Sequence, residues 1–377
     1  MPPLPPFKLE RYFARYEFNA RYLLSASDCE SVPLRELLAL ADSDSHALWE
    51  NLTLGYTESA GHPALHAEVA RLYETLAPDD VLVLTPEEGI FIVMSTLLSP
   101  GDHVIAIAPA YQSLAEIARS RGCTVTPWQV ELEGDRWRLD LGSLARSFTP
   151  QTRLLIINFP HNPTGHLPTR AELEAILDLA RQHNVFVFSD EMYRWLELDP
   201  ARRLPAVCDV YEKGITLSGL SKSFALPGLR MGWLATRLPG WIDRWLAFKD
   251  YTTICHNAPS EILALMALRA KETLLARNLA IVRANLTHAE SFFADYPTLF
   301  KWLTPEGGSI AFPCWLGPGR IDDVCQQIVE EQGVMIVPAS MFDYAGQHFR
   351  VGLGRRNFPE ALAQLRIGLT RFVPPTE

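Results

Sequence analysis

The chain has 377 residues, 48% hydrophobic and 21% charged, with a formal net charge of -10. That is the make-up of an ordinary folded protein, too long for one compact core, which predicts two domains. The acidic balance argues against nucleic acid or an anionic membrane as a partner, though it leaves room for a local basic pocket.

Met1 to Phe7 alternates prolines with apolar residues and lacks the basic-then-apolar order of a signal peptide, so we read it as a stiff arm on its own or a neighbouring subunit. From Lys8 to Ala20, Leu9, Phe13 and Tyr16 recur at helical spacing among arginines and predict an amphipathic helix. A second helix follows Pro63, with Leu65, Val69, Leu72 and Leu76 on one face. His62 and His66, four apart, lack an acidic partner and read as a solvated helix face; no metal is expected.

The rhythm then changes. Val81–Leu84, His103–Ala108, Thr124–Trp128, Leu154–Asn158, Val185–Ser189, Ile215–Ser218 and Gly232–Ala235 are short, β-rich apolar runs. Helical patterns over Glu88–Leu98, Ser113–Arg121 and Thr169–His183 separate several of them, the last opened by a Thr169–Glu172 capping box. This alternation predicts an α/β fold: a mainly parallel seven-stranded sheet covered by helices. Ligands of such sheets bind beyond the carboxyl ends of the strands, which points at Thr85, Tyr111, Asn162, Asp190 and Lys222. A long helical stretch from Pro259 to Tyr296 leads to strand patterns at Lys301–Leu303, Ser309–Phe312, Val334–Val337 and Phe349–Val351 and helical ones at Asp322–Glu331 and Pro359–Phe372. We therefore expect a large ligand-binding domain over residues 45–270. A smaller α+β domain would be built from both ends, residues 1–44 and 271–377.

Six scattered cysteines without a C-x-x-C pair point to a reducing compartment. The best apolar run, Gly89 to Leu98, is about half a membrane span, and together these features predict a cytoplasmic protein.

Three stretches carry chemistry. Lys222 is the only charge between Leu217 and Arg230, so its amine is partly desolvated and a better nucleophile, while Arg230 offers a fork suited to phosphate. Asp190 ends the run Val-Phe-Val-Phe-Ser-Asp, where a carboxylate is costly unless a cation or hydrogen bonds meet it. A helix-capping aspartate is the plainer alternative. His161-Asn-Pro-Thr-Gly165 is a turn that places the Asn162 amide at the sheet edge.

Phe159-Pro-His-Asn-Pro-Thr-Gly165, Ser189-Asp-Glu-Met-Tyr193, Ser221-Lys-Ser-Phe-Ala-Leu-Pro-Gly-Leu-Arg230, Pro305-Glu-Gly-Gly308 and Phe349-Arg-Val351 together resemble the class I/II aminotransferases of pyridoxal-phosphate fold type I. The resemblance spans nearly the whole chain. It implies pyridoxal 5'-phosphate bound as a Schiff base to Lys222, which also moves the proton at the substrate Cα. It implies Asp190 on the pyridine nitrogen, Tyr193 and Asn162 on the ring hydroxyl oxygen, and Ser221, Arg230 and Ser218 on the phosphate. Tyr111 would stack on the ring and Arg350 fork the substrate α-carboxylate, with Asn162 and Tyr111 beside it. Tyr56 would reach the phosphate of the neighbouring subunit in a homodimer. The substrates implied are an amino acid and a 2-oxo acid.

One stretch departs from the family: a shorter turn, Leu84-Thr-Pro-Glu-Glu-Gly-Ile90, stands where a longer, glycine-containing one is usual. Thr85 to Glu88 reads as a capping box, so amides near Glu87 and Glu88 are expected to face the phosphate while both carboxylates turn away.

Rival patterns fail: Lys222 comes three residues after Gly219, too late for a P-loop, and Gly317-Pro-Gly319 lacks the third glycine of a dinucleotide fingerprint. A non-catalytic binding protein of the same fold is disfavoured because lysine, aspartate, tyrosine and arginine are all present. Asn158-Phe-Pro-His-Asn-Pro and Leu220-Ser-Lys also look similar to capreomycidine-synthase-like cyclases, so β-elimination or cyclisation is the alternative reaction.

Overall fold

The computed structural model describes residues 3–372, so Met1 and Pro2 of the proline-rich arm lie outside the described residues. The strands of the main sheet are β1 (Val81–Leu84), β2 (His103–Ala108), β3 (Thr124–Glu133), β4 (Arg136–Leu139), β5 (Thr152–Asn158), β6 (Phe186–Asp190), β7 (Gly214–Gly219) and β8 (Gly232–Ala235). Their order is β1-β8-β7-β6-β5-β2-β3-β4. The run from β3 through β2, β5 and β6 to β7 is parallel. The pairs β7–β8, β8–β1 and β3–β4 are antiparallel.

The expected seven strands are thus eight. β4 alternates exposed Arg136 and Arg138 with buried Trp137 and Leu139, and it folds back on Val130–Glu133 across Gly134 and Asp135. Its half-charged pattern reads as a loop when strands are sought as apolar runs.

The central strands are buried on both faces, and period two divides their side chains. Leu154 and Ile156 pack with Ile90, Val93, Leu114 and Ile117 of the helices Pro86–Leu97 and Ser113–Ser120. Leu155 and Ile157 turn to the other face and meet Leu173, Ile176 and Leu177 of the helix Arg170–Gln182. Its capping box forms as expected, the Glu172 amide donating to Thr169 Oγ1 at 3.2 Å and Thr169 N donating to Glu172 Oε2 at 2.7 Å. The predicted helix before the sheet is shorter, Pro63–Ala70. The solvated face proposed for its histidines is wrong for His66. That ring is buried between the carbonyls of Pro78 and Ala60, at 3.0 and 2.7 Å.

Beyond the sheet, the long helical stretch breaks at Ala270 into Ala258–Arg269 and Lys271–Ala294. No described helix is long and apolar enough to cross a membrane. A three-stranded sheet follows, ordered Ile310–Ala311, Phe349–Gly352, Val337–Pro338. The helices Ile321–Gln332 and Phe358–Leu369 share its apolar core, and Leu24 and Cys29 from the other end of the chain join them. The Gly352 amide donates to Leu24 O at 2.6 Å. A Cβ on Gly352 would stand 1.9 Å from Ala26 O, so only glycine lets the two segments close. That contact seats Ser25–Asp28 beside Arg350.

The N-terminal helix stops at Tyr16, short of Ala20. The arm before it lies on its own subunit: Phe7 packs on Tyr111 with ring centroids 4.8 Å apart, and Gln112 Nε2 donates to Pro6 O at 3.2 Å.

Candidate active site

A cavity of about 480 Å³ opens at the carboxyl edge of the main sheet. β6 ends in Asp190, and the turns after β5, β2 and β7 bring Asn162, Tyr111, Ser221 and Lys222 to its wall. The small sheet contributes Arg350, and the N-terminal segment adds Glu10, Phe13, Glu17, Ser27 and Asp28. The expectation that ligand-binding residues gather past the strand ends follows from all parallel strands pointing their carboxyl ends one way.

Lys222 Nζ donates to Ser27 Oγ at 2.9 Å. Burial lowers its pKa, with Asp28 opposing and Arg350 adding to the fall, which favours the free amine. Asp190 is 8% exposed and its carboxylate accepts one bond, from Met192 N at 3.1 Å. Burial pushes its carboxyl up to about 6, against the pull of the Met192 amide and Lys222. Asn158 ties the two strand ends together: Nδ2 donates to Asp190 O at 2.8 Å, and Oδ1 accepts Asn162 N at 2.9 Å. Arg350, 1% exposed, donates from Nε to Ser25 O at 3.2 Å and from Nη1 to Asn162 Oδ1 at 3.3 Å.

Arg350 Nη2, Tyr193 OH and Ser221 Oγ are buried with no protein partner. Buried donors of this kind are costly unless met, so three of them around one cavity mark a place for anionic and polar ligand groups. A ring nitrogen cation suits Asp190, a phosphate suits Ser221 with Arg230, and a carboxylate suits Arg350. The residues therefore fit a phosphorylated pyridine aldehyde together with an amino acid.

Not every expected residue reaches this cavity. Ser218 lies within β7, not past its end, and its hydroxyl is 0% exposed and directed at Glu191 O, 3.4 Å away. Thr85 and Glu88 line a neighbouring cleft, and the Glu88 carboxylate turns to the hydroxyls of Thr252 and Thr253. Glu87 lines both the cavity and that cleft, and its carboxylate accepts from Ser113 Oγ at 3.2 Å on the cleft side. Arg230 sits at the rim in a left-handed conformation (φ 56°), and Tyr56 is 91% exposed outside the cavity.

Sequence reasoning missed Glu10, Glu17 and Arg355. Glu10 accepts from Tyr111 OH at 2.7 Å, and Arg355 Nη2 forks both Asp28 oxygens at 3.0 Å. No local pattern announces them, since their partners lie 101 and 327 residues away along the chain.

The model of the family described as aminotransferase class I and II matches residues 24–363. The chain is 34% identical to an aspartate aminotransferase of Musicola paradisiaca over 299 residues, covering 76% of this chain and 74% of that one. It is 27% identical to capreomycidine synthase of Streptomyces vinaceus over 355 residues, covering 93% and 89%. A crystal structure of a PLP-dependent aminotransferase from Streptococcus suis superposes with a TM-score of 0.92 at 31% identity, covering 99% and 100%.

Proposed function

The chain belongs to the class I and II aminotransferases, a pyridoxal-phosphate-dependent family, and from that premise we propose that it moves the amino group of an α-amino acid to a 2-oxo acid, with Lys222 the residue that would hold the cofactor. The observation that carries this reading is the convergence of the Lys222 amine with three unpartnered groups, Tyr193 OH, Ser221 Oγ and Arg350 Nη2, around one cavity. When bound, the cofactor supplies an electron sink for the bonds at the substrate Cα.

The chain's own residues do the rest. Lys222, its pKa lowered by burial, would hold the aldehyde and, once released, move the proton at the substrate Cα. Asp190 offers a fixed anion for the ring nitrogen. Tyr193 and Asn162 would donate to the ring oxygen, and Tyr111 would offer its face to the ring. Ser221 and Arg230 would hold the phosphate with amides at the start of the helix Pro86–Leu97. Arg350 orients the α-carboxylate through its free Nη2, which limits the poses in which Cα meets Lys222. Exposed Leu54, Tyr56 and Tyr251 support a second copy completing the site as a homodimer.

A second reading, β-elimination or cyclisation, is favoured by the match to capreomycidine synthase over 93% of this chain. Both readings use the same residues up to loss of the Cα proton. An amino-acid panel read by absorbance separates them. Transamination is expected to convert the cofactor to its amine form and release a 2-oxo acid. Ammonia or a cyclic product with unchanged cofactor assigns the second reading instead.

Glu87 makes cofactor binding pH-dependent. Burial pushes its carboxyl up to about 7, helped by Glu10 and Asp190 and opposed by the Ser113 hydroxyl and Arg230. Protonated, it tolerates a phosphate; ionised, it repels one. Affinity of the cofactor-free protein for pyridoxal phosphate is therefore expected to fall as pH rises through 7. In Glu87→Gln that fall is lost and binding at high pH improves by about tenfold, the equivalent of one pKa unit. Fluorescence titration across pH checks this, and an unchanged slope in the variant would remove Glu87 from the cradle.

A further inference from the structure

We propose that the substrate's side chain is cationic: the cavity takes an α-amino acid ending in a guanidinium or ammonium group, which Glu10 and Glu17 receive. This rests on the cofactor reading above and deepens it.

The argument starts with the charges that face the cavity, four basic and five acidic side chains. Each base has a task. Lys222 is the amine that binds the aldehyde, and Arg230 stands at the phosphate end. Arg350 is 1% exposed with Nη2 unpartnered in the wall, a buried donor that calls for a carboxylate on the ligand. Arg355 is the one base that could receive a second carboxylate, but Asp28 already forks it at 3.0 and 3.0 Å. Both side chains are largely shielded, at 17% and 14% exposure, so an acidic substrate would have to displace a bidentate pair.

Three of the acids are also accounted for. Asp190 lies at the end of β6, Glu87 stands near Arg230 with Ser113, and Asp28 is matched by Arg355. Glu10 and Glu17 remain. Glu10 accepts the Tyr111 hydroxyl at 2.7 Å, a neutral donor that leaves its charge uncancelled. Glu17 has no ion-pair partner among the described residues. Burial, Asp28 and Glu10 push its carboxyl upward while Arg355 and Lys222 pull it down, and among the described residues no ion pair closes on either glutamate.

Leu9 and Phe13, on the same N-terminal helix, line the cavity as well and offer apolar surface for a methylene stem. The arrangement has two ends of opposite demand. The buried Arg350 asks for the α-carboxylate, and the glutamates ask for a cation at the far end of the side chain. A neutral side chain leaves the glutamates unmet, and an acidic one adds repulsion.

The test compares isosteric pairs on the holoenzyme, following the change in cofactor absorbance on mixing with L-arginine or L-citrulline and with L-lysine or L-norleucine. At least one cationic member is expected to half-saturate at a concentration lower by about tenfold than its neutral partner, the worth of one charge-assisted hydrogen bond. In Glu10→Gln/Glu17→Gln that preference falls to within about twofold. Neutral members matching or beating the cationic ones in the wild-type protein overturn the proposal, without needing any variant to fold. So does a preference that survives the double substitution, and so does tighter binding of L-glutamate. Failure of the underlying reading is seen separately, as a protein whose Lys222 traps no cofactor under borohydride, and it takes this proposal with it.

Discussion

Lys222→Ala is expected to abolish reductive trapping of the cofactor and to lower turnover by at least about 1,000-fold. Two losses combine. No amine remains to form the imine, and no base remains near Cα; positioned proton transfer alone contributes about 100- to 10,000-fold. The variant should still fold, because burial works against the charged form of Lys222 and its removal relieves that cost. Its hydrogen bond to Ser27 is a single one to a neutral hydroxyl. Lys222→Arg serves as the control that keeps a positive charge but cannot form an imine; it should be as inactive as the alanine variant. The measurements are mass spectrometry of the borohydride-reduced protein and turnover with whichever amino acid the panel identifies. A cofactor mass still fixed on another lysine of Lys222→Ala would end the assignment.

How far the sequence reached this site depends on the range of the interactions that build it. Strand–helix alternation is local, so the seven apolar strands and the helices between them were legible. Because parallel strands share a direction, so was the gathering of Tyr111, Asn162, Asp190 and Lys222 at one edge. β4 was not, because its arginines face outward and its partner Val130–Glu133 is recognised only once the hairpin turns. Ser218 was misplaced for a related reason: it sits one residue inside the end of β7, where the pleat commits its hydroxyl to Glu191 O. The acidic wall was invisible because Glu10 lies on an amphipathic helix whose charged residues read as solvent-facing. Only packing of that helix across the sheet edge turns Glu10 toward Tyr111. Asp28 and Arg355 are likewise joined across 327 residues, beyond any spacing rule.

Asp190→Asn is expected to move stability and turnover in opposite directions, and that split separates a cofactor partner from a simple helix cap. Burial raises the Asp190 carboxyl from 3.8 to about 6 in the folded chain. A carboxyl with a raised folded value is protonated in both states below pH 3.8, so there the folded chain bears no charge penalty. The penalty grows between pH 3.8 and 6 and is complete above, on the order of 3 kcal/mol. Asparagine is neutral at every pH and keeps an oxygen for the Met192 amide, now 3.1 Å from Asp190 Oδ1. The cofactor-free variant should therefore melt a few degrees above the wild type at pH 8, with the gap closing as pH falls toward 4. With cofactor the sign reverses. The ring nitrogen loses its anion, and leaving one member of a buried pair alone costs about 3–5 kcal/mol, so turnover should fall by about 100-fold or more. A capping aspartate would behave otherwise. Its loss would lower the melting temperature or leave it unchanged and would spare turnover, because asparagine caps nearly as well. Melting curves of the cofactor-free proteins at pH 8 and pH 4, set beside turnover of the loaded ones, decide between the two roles.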